Sequence, residues 1–320
     1  MTEPLLTPGT LWPLLQRRRL EALASGALQP IATTQEFVDD GGVRFVIRLV
    51  ANLARKDADW VLQSGKHRSG GPPPNPFLPY EPALFVAGIS ETHLALLNKF
   101  NVIDHHLLLV TRRFLHQETL LDRIDCQALS LCMAEYEGRG FYNGGVIAGA
   151  SQPHKHLQVV PLPLLDTGPT LPIDPLLRTV PRDAKVGTVP GLSFQHAFVA
   201  LDSTLATQPR AFAEALYEGY QTALQATGIE AIRVDGAIHQ SAPYNLLVTH
   251  DWLLLIPRRQ ADFAGIAINA LGFAGSLFVK DREQLTLLRR QGPLAALRAV
   301  ARPDPSVVAV PGNGLSSGSL

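Results

Sequence analysis

The run His154-Lys155-His156-Leu157-Gln158 carries the densest chemistry in this 320-residue chain. Read as a strand, it places alternate side chains on one face, so His154, His156 and Gln158 project together while Lys155, Leu157 and Val159 face the other way. Three hydrogen-bonding side chains on one strand face are costly to bury alone, so something polar should sit against them. An imidazole is a competent nucleophile toward phosphorus near neutral pH, and a flanking group can hold it in the reactive tautomer. Just upstream, Gly144 and Gly149 stand four residues apart and are followed by Ala150 and Ser151. That is nearly the spacing of a Walker loop, but Ala150 occupies the place of the lysine, so the Walker reading fails. What remains is a small-residue turn, Gly149-Ala150-Ser151-Gln152, whose backbone N–H groups can approach phosphate closely. The histidines have no Cys pair and no HExxH helix beside them, which argues against zinc. No Gly-x-Ser-x-Gly elbow points to a serine hydrolase.

The elements that must position these residues are short. Leucines spaced over 11–23 predict an amphipathic helix with Arg17, Arg18 and Arg19 on its solvated face. A turn at 39–42 precedes an alternating strand over 43–50. The stretch 64–82 is rich in proline and glycine and predicts a mobile loop. Apolar runs at 83–87, 94–97 and 107–111 predict strands, and 120–136 has helical spacing. A Pro-rich connector over 161–190 leads to a strand at 194–200, a helix at 210–226, and strands at 244–249 and 252–257. Residues 263–279, uncharged but broken by glycines, are too short for a spanning helix and read as buried strand and turn. A helix over 282–302 breaks at Gly292-Pro293, and the Gly/Ser-rich tail is expected to be disordered. Segments alternating without a regular βαβ period predict an α+β fold with a mostly antiparallel sheet and flanking helices. The expected division is 1–165, holding the histidine motif, 190–302, completing the site, and a tail over 303–320.

Charge narrows the partners. Lys plus Arg total 28 and Asp plus Glu total 28, so no broad field favours nucleic acid or a membrane surface. A polyanion must be held locally. Cys126 and Cys132 are too few for a disulfide framework and match no usual zinc spacing, which fits a reducing cytoplasm. No secretory leader is visible.

Asn143 followed by Gly149-Ala150-Ser151-Gln152-Pro153-His154-Lys155-His156-Leu157-Gln158 resembles the signature of the ATP adenylyltransferases, or diadenosine tetraphosphate phosphorylases, in the transferase branch of the histidine-triad superfamily. Asn75-Pro76-Phe77, Leu97-Asn98-Lys99-Phe100, Tyr244-Asn245, Trp252 with Pro257-Arg258, and Asn269 through Lys280-Asp281 resemble the same family in the same order. The resemblance implies a histidine-triad-like fold in which His156 attacks the α-phosphorus of a dinucleoside polyphosphate. A covalent adenylyl-histidine forms, a nucleotide leaves, and phosphate accepts the adenylyl group to give ATP and ADP from diadenosine tetraphosphate. Gln158 would contact a nonbridging oxygen and His154 would support catalysis. The same resemblance assigns substrate contacts to Lys56, Asn98, Lys99, Asn143, Gly149, Ala150, Ser151, Gln152, Asn269, Ala270, Leu271, Ser276 and Lys280. It implies no protein-held metal, a magnesium or other divalent ion carried with the substrate phosphates, and a monomer, with a dimer as the alternative. Two competing readings stand: a hexose-1-phosphate uridylyltransferase, whose relatives carry His-Pro-His-Gly-Gln where this chain has Lys155 and Leu157, and a non-catalytic nucleotide-binding protein.

Overall fold

A computed structural model describes residues 5–50, 75–165, 168–181 and 185–305. Lys56, the first part of the Pro/Gly-rich stretch and nearly all of the tail lie outside the described residues.

In chain order the elements begin with α1 (Leu11–Ala24), β1 (Thr33–Asp40), β2 (Val43–Val50), β3 (Phe85–Gly88), β4 (His93–Leu97) and β5 (Leu107–Thr111). α2 (Arg123–Met133), β6 (Gly138–Gly144), β7 (His156–Pro161), α3 (Asp174–Leu177), β8 (Ala197–Ala200) and α4 (Pro209–Thr227) follow. The rest are β9 (Ala231–Val234), β10 (Ala237–Gln240), β11 (Tyr244–Val248), β12 (Trp252–Pro257), β13 (Asp262–Phe263), β14 (Ile266–Ala267), α5 (Ala270–Phe273), β15 (Ser276–Val279), α6 (Arg282–Gln291) and α7 (Pro293–Val300).

One eight-stranded sheet, ordered β3-β4-β5-β7-β6-β11-β12-β8, organises the fold, and all its pairings are antiparallel. The strand with the histidine motif, β7, is fourth from one edge, and β11, from the C-terminal part, pairs directly with β6. The two parts expected from sequence therefore share one sheet. Alternation along the strands sends Leu157, Val159 and Tyr142 into a core roofed by α1, α2 and α4. It sends Phe141, Val160 and Leu247 into a second core with β2, β15, α6 and α7. A sheet covered on both faces explains why every residue of β4, β5 and β11 is buried.

Most predicted elements stand where the pattern placed them, including the helix break between α6 and α7. Three features lie outside those expectations. β1 and the β9–β10 hairpin were not predicted, because β1 is polar and largely exposed, while β9 and β10 are four residues each and leave Ile232, Val234 and Ile238 exposed, so neither shows a periodic signal. The Pro-rich connector after β7 also packs, with Leu164, Leu171, Ile173 and Leu177 buried in the second core. The predicted mobile loop ends in ordered chain: Asn75 and Phe77 pack on the histidine strand. Proline-rich sequence resists regular elements, yet its fixed φ makes it stiff rather than mobile. Cys126 and Cys132 are both free and buried in α2. Among the described residues no helix is long and apolar enough to cross a membrane.

Candidate active site

His156 opens β7, 3% exposed, and burial holds its pKa at about 4, far below an ordinary histidine, although a hydrogen bond to the His154 carbonyl pulls the other way. At neutral pH the ring is therefore uncharged. Its Nδ1 lies 2.8 Å from the His154 carbonyl oxygen. A carbonyl only accepts, so Nδ1 carries the proton and Nε2 keeps its lone pair.

Neighbouring chain fixes that ring from below and from the side. In the β6–β7 ladder the last paired residues are Phe141 and Gln158. Beyond them the Gln117 side chain takes over: its Oε1 accepts from His156 N–H at 2.8 Å, and its Nε2 donates to the carbonyls of Asn143 (3.0 Å) and His156 (3.1 Å). A side-chain amide has the donor and acceptor of a peptide, so it can stand in for ladder bonds where two strands part. The Gln117 carbonyl in turn accepts from the Tyr142 hydroxyl. The Phe77 ring packs 5.4 Å from the His156 ring, centroid to centroid.

His154 is fully buried and serves differently from His156. Its Nε2 faces the Thr111 carbonyl at 2.8 Å and its Nδ1 faces Asn75 Nδ2 at 2.9 Å. Both ring nitrogens are thus engaged in the wall, and what His154 gives His156 is its carbonyl. On the opposite face, as alternation predicts, Lys155 Nζ reaches Asp125 Oδ2 at 2.5 Å, and Asp125 Oδ1 lies 3.1 Å from His93 Nε2. Burial would raise the Asp125 carboxyl; the hydrogen bond from His93 and the Lys155 charge overcome it and hold the pKa at about 2.

Beside this strand lies a cleft of about 400 Å³ whose polar lining comes from Asn98, His106, Asn143, Ser151, Gln158 and Asn269. Among the described residues, no lysine, arginine, aspartate or glutamate lines it. Asn98 Nδ2 is 3.1 Å from His106 Nδ1, and His106 Nε2 is 2.9 Å from Gln158 Oε1. This chain turns the Gln158 oxygen toward His106 and presents its N–H2 to the cleft. Gly149, at φ +91°, lets the small-residue turn touch the far wall: a Cβ there would lie 2.8 Å from Asn269 Cβ. Asn269 caps α5 through a 3.0 Å bond from Leu271 N–H, and Ala270 N–H donates to Asn143 Oδ1 at 3.0 Å.

The structure gathers Asn98, Asn143, Gly149, Ala150, Ser151, Gln158, Asn269 and Leu271 around the cleft, with His156 on the strand that carries Gln158 and Ala270 bonded to Asn143. Other predicted contacts stand elsewhere. Lys99 pairs with Glu81 at 3.1 Å. Ser276 is buried, 3.4 Å from Arg48 Nε. Lys280 is on the surface and Gln152 is half-buried, neither of them lining the cleft. Lys56 is outside the described residues. Sequence reasoning missed His106 and Gln117 as site residues, and it quoted Asn245 and Arg258 only as parts of motifs. Each acts from a distant position with no spacing signal to find it by.

The fold and site define an α+β protein whose long antiparallel sheet carries a neutral, buried histidine and a glutamine beside an amide-lined cleft. Residues 1–179 match the Ap4A phosphorylase N-terminal domain and residues 190–303 the ATP adenylyltransferase C-terminal domain, and the chain belongs to this family. It is 29% identical over 216 residues to Protein APA1 of Saccharomyces cerevisiae, covering 61% of this chain and 63% of that protein. It is also 29% identical over 218 residues to Diadenosine 5',5'''-P1,P4-tetraphosphate phosphorylase 2 of the same yeast, covering 59% and 63%. The chain thus spans about 63% of the length of these relatives. The crystal structure of yeast Ap4A phosphorylase Apa2 in complex with Ap4A has the same fold, with a TM-score of 0.73 at 22% identity over 94% of this chain and 99% of that one. The complex of Apa2 with AMP superposes equally well, over 93% and 98%.

Proposed function

We propose that this protein is a nucleotidyltransferase that splits diadenosine tetraphosphate with inorganic phosphate into ATP and ADP, and runs the reverse, through an adenylyl group carried on His156 Nε2. The observation that carries this reading is the proton on Nδ1: it leaves an uncharged Nε2 lone pair that needs no base to expose it. That pair attacks the α-phosphorus, the N–P bond forms, and the bond to the bridging oxygen breaks with ATP leaving on its electron pair. The ring becomes an adenylyl-imidazolium whose Nδ1–H still donates to the His154 carbonyl. A phosphate oxygen then attacks the same phosphorus, the N–P bond returns its pair to Nε2, and ADP departs. Splitting one displacement in two is the use of a histidine nucleophile. Stabilising charge on the equatorial oxygens falls to aimed donors, here the N–H2 groups of Gln158 and Asn143. The apolar lining from Ile31, Phe100, Ile103, Leu271 and Phe278 suits a purine ring.

The lining offers a divalent ion no carboxylate, and the described residues hold no cluster of three potential ligands. A magnesium ion therefore fits this chain only as company for the substrate phosphates, and no step is assigned to it. The balanced charge supports action on small nucleotides rather than nucleic acid, the two free cysteines support a reducing cytoplasm, and the protein is proposed to act as a monomer. The test is incubation with diadenosine tetraphosphate, with and without phosphate. ATP and ADP should form only with phosphate, and His156→Ala should abolish them. ATP and AMP formed without phosphate would instead make the protein a hydrolase.

A further inference from the structure

A cleft meant for phosphates has, among the described residues, no cation on its surface, yet an uncompensated one lies just behind it. Arg258 is 1% exposed. Its guanidinium donates to the carbonyls of Ile268 (2.9 Å), Gln260 (2.8 Å) and Val300 (3.2 Å) and to Asn245 Oδ1 (2.5 Å). Every one of these partners is a neutral oxygen, and among the described residues no carboxylate pairs with it. A buried charge without a counter-charge is expensive. Burial lowers its pKa only to about 9, so it remains charged at neutral pH.

The bonds leading from Arg258 to the cleft run in one direction. β11 pairs with β6 so that Asn245 stands opposite Asn143. Asn245 turns its oxygen to Arg258, which can only donate. Its Nδ2 donates to Asn143 Oδ1 at 2.8 Å and to the Ala148 carbonyl at 2.7 Å. The Ala270 backbone N–H, also a pure donor, confirms where the Asn143 oxygen lies. With that oxygen taken twice, the Asn143 N–H2 is the group left for a ligand in the cleft it lines.

We infer that Arg258 is the charge of the phosphate site: through Asn245 it locks the Asn143 amide with its N–H2 toward the cleft, and the bound phosphate supplies the counter-charge the guanidinium lacks. Asn245 and Arg258 are positioning residues in this scheme, and neither touches the nucleotide. The inference rests on the cleft taking a nucleotide, but not on the phosphorolysis reaction.

Asn245→Asp separates this role from a structural one. A carboxylate at position 245 pairs with Arg258 but cannot donate to the Ala148 carbonyl as Asn245 Nδ2 does, so the melting temperature is measured beside that of Asn245→Ala, and binding is compared only in folded protein. The same carboxylate cancels the charge and cannot donate to Asn143, whose amide loses one of the two bonds that fix its oxygen, only the Ala270 N–H remaining. Affinity for AMP should then fall roughly ten- to a hundredfold, the loss of a charge-assisted hydrogen bond, while affinity for adenosine stays as in the unchanged protein. Asn245→Ala, which leaves Arg258 its carbonyl partners, should show the same selective loss. The inference is overturned if Asn245→Asp binds AMP normally, if AMP and adenosine weaken alike, or if the unchanged protein binds both equally. Failure of both variants to fold would assign the relay to the fold and overturn it as well. Phosphorolysis is measured in parallel: its absence in a protein that still shows the AMP-selective loss would reject the reaction and leave the relay standing.

Discussion

The contact between the small-residue turn and the far wall of the cleft gives the sharpest mutational prediction. Gly149→Ala adds one methyl group at φ +91°, with its nearest neighbours 2.8 Å (Asn269 Cβ), 2.9 Å (Asn269 Cα) and 3.1 Å (Ile268 O) away. The left-handed backbone alone costs an L-residue ~1–2 kcal/mol. Carbon atoms settle at roughly 3.5–4.0 Å, so the turn and Asn269 must separate by up to about 1 Å. Overpacking of this kind costs ~1–3 kcal/mol, for a total of about 2–5 kcal/mol. The displaced wall belongs to the cleft, and a misplacement of about 1 Å at a reacting centre costs on the order of a hundredfold in rate. Gly228→Ala is the matched control: it also has a positive φ, +65°, but nothing lies within 4 Å of the new methyl group. Urea denaturation should show Gly149→Ala destabilised by several times the ~1 kcal/mol expected of the control, with phosphorolysis reduced only in Gly149→Ala. Equal stability losses and equal activities in the two variants would refute the claimed contact.

Three further outcomes follow from the site. Gln117→Leu leaves the His156 N–H without its partner and takes a donor from the carbonyls of Asn143 and His156; kcat should fall on the order of a hundredfold with KM changed far less, read from steady-state rates. His156 is neutral in the fold down to about pH 4, whereas the unfolded chain binds its proton below ~6.5. Stability should therefore decline as pH falls from 6.5 toward 4, by ~3 kcal/mol from this group, and urea midpoints across that window in the parent and His156→Gln measure the difference. Asp125 has the depressed pKa of a paired carboxylate, about 2, so its contribution is full above pH ~4 and is lost below that. Asp125→Asn strands the buried Lys155 charge and should cost ~3–5 kcal/mol at pH 7, measured by the same denaturation.

The placement of His156 beside Gln158 was legible in sequence because strand alternation fixes which side chains share a face, and Lys155 behind them was legible for the same reason. The turn was legible because glycine at 149 answers a real need for positive φ and close approach. The supports were not. Gln117 acts by imitating a peptide group between two strands that part, which depends on tertiary register alone. Arg258 is remote from the motif and buried, where composition suggests a surface charge. The expectation that lysines contact the substrate came from the family resemblance; the structure pairs Lys99 with Glu81 and leaves Lys280 on the surface. Amide donors and one cation behind the wall do that work instead. β1 and the β9–β10 hairpin escaped detection because short, largely exposed strands are held by their partners rather than by their own pattern.

The central claim is a covalent bond at His156 Nε2. Mixing the protein with diadenosine tetraphosphate in the absence of phosphate, quenching rapidly and mapping peptides by mass spectrometry should find one adenylyl group on the peptide containing His156, and it should disappear when phosphate is added. Protein that turns over when phosphate is supplied yet shows no adduct without it, or an adduct that persists in His156→Ala, would contradict the account.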